Sequence, residues 1–78
     1  MNLEEAIGYA KNYLKEGYSI EVDINVGYVI VSLLNSDGRC IYMPDSDYTQ
    51  CVADGVIKCV EVSRGLREPN MGDGNAKL

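Results

Sequence analysis

The stretch "YSIEVDINVGYVIVSLLNSDGRCIYM", residues 18–43, decides the fold. Its first seven residues alternate: Tyr18, Ile20, Val22 and Ile24 fall on one side, Ser19, Glu21 and Asp23 on the other. Successive side chains of a β-strand point to opposite faces, so 18–24 reads as a strand with an oily face and an acidic one. A turn around Asn25-Val26-Gly27 leads into "YVIVSLL" (28–34), which is apolar on both faces apart from Ser32. That pattern suits a central strand covered on both sides or placed in an interface. Asp37-Gly38 within "NSDG" is a hairpin signal, and "RCIYM" (39–43) is a short third strand stopped by Pro44.

Before this sheet, Leu3, Ile7, Ala10 and Leu14 recur at helical spacing, which predicts an amphipathic helix over 3–16. Asn2 suits the N-cap with Glu5 three residues on, acids suit the positive end of the dipole, and Gly17 is the expected left-handed stop. After the sheet, "DSDYTQCVADG" reads either as a short helix near 46–53 ending at Gly55 or as an ordered loop. "VIKCVEVS" (56–63) is rich in β-branched residues and is expected to be a fourth strand. From Arg64 onward, Gly, Pro and Asn with little apolar content predict a flexible tail. The expectation is one α+β domain over 1–63 and a tail over 64–78. In it, the N-terminal helix packs on the oily face of a three- to four-stranded antiparallel sheet, with room for a second short helix.

Composition narrows the function. The chain has 78 residues, so it holds a single small domain. The three cysteines, Cys40, Cys51 and Cys59, show no close pairing, and "MNLEEAIGYA" puts Glu4 and Glu5 where a signal peptide carries bases. The longest mainly apolar run, 26–34, falls short of the roughly 20 residues of a membrane span. These features point to a cytoplasmic protein with reduced thiols that makes no membrane contact. A chain this small without disulfide or metal support commonly self-associates, so a homodimer is expected.

Catalytic patterns are missing. The sequence has no histidine, which removes the commonest general base and most zinc sites. The cysteine separations match no familiar metal spacing, and small buried hydrophobes are the simpler assignment. Asp45, Asp47 and Thr49 suggest a calcium loop, but Gln50 and Val56 stand where that loop needs Gly and Glu. Gly72-Asp73-Gly74 lacks the strand and helix of a phosphate loop. Glu21 and Asp23, as a carboxylate pair, would lie on an open face and not in a cleft that excludes water. No enzyme, cofactor or metal is expected.

Charge is the remaining signal. The net charge is −5, and the tail from Arg64 carries three bases against two acids, so the deficit lies in residues 1–63. "EGYSIEVDINVGYVIVSLLNSDG" (16–38) contains four acids and no base, and "PDSDYTQCVADGVI" (44–57) contains three acids and no base. Such a surface repels nucleic acid and anionic membrane and attracts basic surfaces. On a strand Glu21 and Asp23 stand about 6.7 Å apart, a spacing that a phosphate-binding surface accepts. Six tyrosines with no Phe or Trp add side chains that suit half-exposed interfaces.

In size, acidity, missing histidine and these two base-free stretches, the chain resembles the small acidic host-takeover proteins of bacteriophages, in particular DNA mimics. One class of these blocks the bacterial nucleoid protein HU, whose DNA-gripping arms are basic. The resemblance implies an inhibitor, acting in the host cytosol, that occupies the DNA-binding surface of a basic, HU-like protein and displaces its DNA. Glu21, Asp23, Asp45 and Asp47 are the first candidates for partner contact, with Glu4, Glu5, Asp37, Asp54 and Glu61 around them. Tyr48 stands beside Asp47 as an aromatic contact. The alternative is an antitoxin-, immunity- or regulatory-type module that binds one protein through Tyr and apolar surface, with lower sensitivity to salt.

Overall fold

The computed structural model describes residues 1–44 and 49–68. Five elements follow one another: α1 (Leu3–Tyr13), β1 (Ser19–Asn25), β2 (Tyr28–Leu34), β3 (Cys40–Tyr42) and α2 (Thr49–Ser63). The strands form one antiparallel sheet in the order β1-β2-β3, so the fold is α+β as the sequence predicts.

α1 starts as its sequence requires. The Asn2 side chain accepts from the Glu5 N–H at 2.8 Å, and Glu5 Oε1 accepts from the Asn2 N–H at 2.9 Å, which completes a capping box. The helix stops at Tyr13, three residues before the predicted end, because Leu14 is already extended (φ −61°, ψ 133°). Gly17 does adopt a left-handed conformation (φ 93°), but as the third residue of a turn closed by Tyr18 N–H to Lys15 O at 3.1 Å, not as the helix stop.

A two-residue turn, Val26-Gly27, joins β1 to β2 and fixes their register, in which Asn25 faces Tyr28, Asp23 faces Ile30, Val22 faces Val31 and Glu21 faces Ser32. The next turn is organised by Asn35, whose Oδ1 accepts from the N–H groups of Asp37 (3.0 Å) and Arg39 (3.1 Å). β3 is only three residues long and pairs irregularly, with Leu33 facing Tyr42 and Leu34 facing Cys40.

Residues 56–63 are not a fourth strand. They are the second half of α2, and Gly55 lies buried inside this helix instead of ending it. Val52, Ala53, Val56, Cys59, Val60 and Ser63 are all buried, and their spacing of one, three, three, one and three residues is one helical face. Burial of that face outweighs the strand preference of the valines, since propensity is a weak prior beside packing. The helix ends in a Schellman cap: Leu66 N–H reaches Glu61 O at 2.8 Å, Gly65 N–H reaches Val62 O at 3.1 Å, and Gly65 is left-handed (φ 74°). Arg64–Glu68, the beginning of the stretch assigned to the tail, thus form this cap and the turn after it. The expected disorder of 69–78 falls outside the described residues.

The layering also differs from expectation. α2 packs on the sheet at β2, and α1 packs mainly on α2 instead of lying across the sheet. The core gathers Val31, Leu33 and Tyr42 from the sheet, Ala6 from α1, and Val52, Ala53, Val56, Cys59 and Val62 from α2. Each fully buried aliphatic side chain there is worth about 1.5–3 kcal/mol of transfer free energy. Burial of Tyr42 raises its hydroxyl pKa above the ordinary value. Ser63 fastens the layers: its Oγ donates to the Val60 carbonyl at 2.7 Å and accepts from the Lys15 N–H at 3.2 Å.

Candidate functional site

Both helices lie on one side of the sheet, the side of Ile20, Val29, Val31 and Leu33. Strand alternation sends Ser19, Glu21, Asp23 and Asn25 of β1, with Tyr28, Ile30, Ser32 and Leu34 of β2, to the other side. No described element covers that side. Glu21 and Asp23 are exposed there, and directly opposite residues on such a ladder have Cβ atoms about 4.5–5.5 Å apart. The carboxylates therefore border Ser32 and Ile30, and Tyr28 stands at the turn end of the same face, half exposed. The result is a mixed surface, acidic along β1 and apolar along β2.

The ion pairs among the described residues lie elsewhere. Lys58 Nζ meets Asp54 Oδ2 at 2.8 Å one turn apart on α2, and Arg67 Nε meets Glu61 Oε1 at 2.8 Å beyond the helix end. The hydrogen bonds that Lys58 and Arg67 donate to these carboxylates raise the pKa of both bases. Asp54 and Glu61, both sequence candidates, are thus locally neutralised and belong to the helix side of the molecule. Glu4 and Glu5 sit at the start of α1, also on that side, and Glu5 is engaged in the capping box. Asp37 is exposed in the β2–β3 turn. Asp45, Asp47 and Tyr48 lie outside the described residues. Of the acidic candidates, the structure brings together Glu21 and Asp23, and neither forms an ion pair among the described residues.

The sequence reading missed the neighbours of these acids. With two residues in the turn, paired positions must sum to the same value along the hairpin, so Val26-Gly27 alone would have set Ile30 opposite Asp23. It also missed an apolar groove of about 420 Å³ between α1 and β1, lined by Ile7, Ala10, Lys11, Leu14, Ile20 and Val22 and floored by Val56. Ile7 and Val22 remain 48% and 41% exposed, and Ile24, further along the same side of β1, is 77% exposed. Their spacing predicts core positions, but the two helices among the described residues are too few to cover all of β1.

The cysteines do not behave alike. Cys59 is buried, and burial, with neighbouring Cys40 as a lesser cause, pushes its thiol up to about 12. Cys40 is exposed and Cys51 only partly buried, contrary to the expectation that all three cysteines are buried hydrophobes. Among the described residues no group of three Cys, Asp or Glu side chains is placed to hold a metal ion. No helix among them is long and apolar enough to cross a membrane. No protein-family model matches the chain, and neither a curated protein nor a solved structure matches it.

Proposed function

We propose that the protein is a non-enzymatic inhibitor whose uncovered sheet face binds a basic DNA-binding protein, of the kind of the nucleoid protein HU, and displaces its DNA in the bacterial cytosol. The observation that carries this reading is the placement of Glu21 and Asp23 side by side, without an ion pair among the described residues, on a face that no element among those residues covers. Unpaired carboxylates on a protein of net charge −5 attract a cationic surface and repel nucleic acid. Ile30 and Tyr28 give the same face an apolar contact that suits a protein partner.

The test is a competition. A labelled DNA duplex is bound to purified HU, and the protein is titrated in at low and moderate salt. Displacement should weaken as salt rises, and Glu21→Lys with Asp23→Lys should reduce it roughly tenfold or more, since two lost attractions become repulsions of about 0.2–1 kcal/mol each. Displacement unchanged by the double reversal would sink the reading.

The second reading, an antitoxin- or immunity-type module with one specific partner, is favoured by Ile30 and Tyr28 lying among the acids. In that case Tyr28→Ala with Ile30→Ala abolishes partner binding, while the charge reversal and added salt change it little.

A further inference from the structure

We infer that the free edge of β1 is a strand-docking site that takes an extended segment of a basic partner, with aliphatic side chains alternating with Lys or Arg, as a fourth strand of the sheet. The inference rests on the reading above that the partner is basic, and it adds the mode of docking.

β1 is the outermost strand, and it is seven residues long where the opposite edge, β3, has three. The two-residue turn makes Asn25 and Tyr28 a hydrogen-bonded pair, and antiparallel ladders alternate from there. Ile20, Val22 and Ile24 therefore turn their N–H and C=O groups away from β2. Among the described residues no backbone hydrogen bond joins that edge to another element. An exposed, long edge with apolar side chains is what proteins normally blunt, because it invites another strand.

Side chains on both faces of this edge specify the visitor. Residues of an added strand that face Ile20, Val22 and Ile24 fall on the helix side, beside the groove of Ile7, Leu14 and Val56. Lys11 also lines that groove and disfavours a cation there. The intervening residues fall on the outer side, opposite Glu21 and Asp23, where a cation is favoured. Aliphatic on one side and basic on the other is an alternating strand.

A second copy of the chain fits this edge poorly. In the antiparallel register that pairs all seven residues, Val22 lies on the two-fold axis and Glu21 faces Asp23 of the other copy, twice. Like charges directly opposite destabilise a sheet, so the acids that attract a basic strand also reject self-pairing.

The test uses the full chain and two fluorescein-labelled peptides of one composition, Lys-Val-Lys-Val-Lys-Val-Lys and Lys-Lys-Lys-Lys-Val-Val-Val, in fluorescence anisotropy. The alternating peptide should bind at least tenfold more tightly than the block peptide. Val22→Pro should weaken it at least tenfold and leave the fold intact, since the Val22 N–H lies on the edge side and takes no part in the ladder. Should that variant fail to fold, the wild-type chain with an alternating peptide N-methylated at every second residue gives the same information, and loss of binding is expected.

Equal binding of the two peptides overturns the inference. So does a charge reversal at Glu21 and Asp23 that abolishes binding when neither Val22→Pro nor N-methylation affects it; the partner reading then survives without strand addition. A dimer in sedimentation that Val22→Pro dissolves also overturns it, since a second copy then owns the edge. If wild-type protein binds neither peptide nor HU, both readings fall together.

Discussion

Replacing Ser63 by Ala tests how the layers are fastened. Ser63 is 4% exposed, and its hydroxyl donates to the Val60 carbonyl at 2.7 Å and accepts from the Lys15 N–H at 3.2 Å, across 48 residues of sequence. The Val60 carbonyl keeps a partner without it, because the Arg64 N–H also reaches that oxygen at 3.1 Å. The Lys15 N–H loses its acceptor in a partly buried place. An orphaned buried donor costs about 1–3 kcal/mol, and partial solvation puts this one near the lower end. Alanine regains up to about 0.5 kcal/mol as the better helix former, leaving a net loss of about 1 kcal/mol. For a domain of this size that is about 4–8 °C in Tm. Urea denaturation followed by far-UV circular dichroism reads the loss, and hydrogen exchange at the Lys15 amide reads its cause. Ser36→Ala, in the exposed β2–β3 turn, should change stability by less than about 0.5 kcal/mol. If Ser63→Ala is as stable as the wild type and the Lys15 amide exchanges no faster, the hydroxyl is not the fastening and the reasoning fails.

Two further outcomes test the core and its faces. Leu33 is fully buried on the helix side of β2 and Leu34 partly buried on the other, so Leu33→Ala should cost about 2–5 kcal/mol and Leu34→Ala clearly less; the reverse order in urea would mean the register is wrong. The Cys59 thiol, ordinarily near 9.0, is held protonated to about 12, so above pH 9 the unfolded chain loses a proton that the folded chain keeps. Its contribution to stability is therefore full below pH 9 and declines by about 1.4 kcal/mol per pH unit between 9 and 12. Cys59→Ala should flatten the decline of the urea midpoint between pH 8 and 10; an unchanged slope refutes the assignment.

The parts of the fold that were legible in the sequence are those governed by neighbours in the chain. Asn2 and Glu5 announce the start of α1, the period-two pattern announces β1, and Gly27 and Gly38 mark turns where the backbone is left-handed. α2 was not legible because "VIKCVEVS" satisfies two periods at once, and its β-branched residues favour the wrong one. The deciding signals lay outside that octet: Val52 and Ala53 one turn earlier, Asp54 four residues before Lys58, and Gly65 as a helix stop. Gly55 looked like punctuation and proved internal. The pairing of Asp54 with Lys58 is predictable only once the helix is known, so two candidate acids looked free that are not.

The segment misread as a strand and the surfaces left open are physically linked. A fourth strand would have widened the sheet and left α1 to cover its oily face. With 56–63 in α2, the sheet has three strands among the described residues, and the helix on β2 covers its centre better than its margin. β1 is that margin. Its inner side keeps Val22 and Ile24 partly in water, its edge keeps unpaired backbone groups, and its outer side carries Glu21 and Asp23. Alternation along a single strand thus sets an apolar demand and an acidic demand on opposite faces of one edge. A loose basic surface satisfies only the acidic demand and an apolar helix only the other, whereas a strand that alternates in the complementary sense satisfies both and completes the backbone pairing as well.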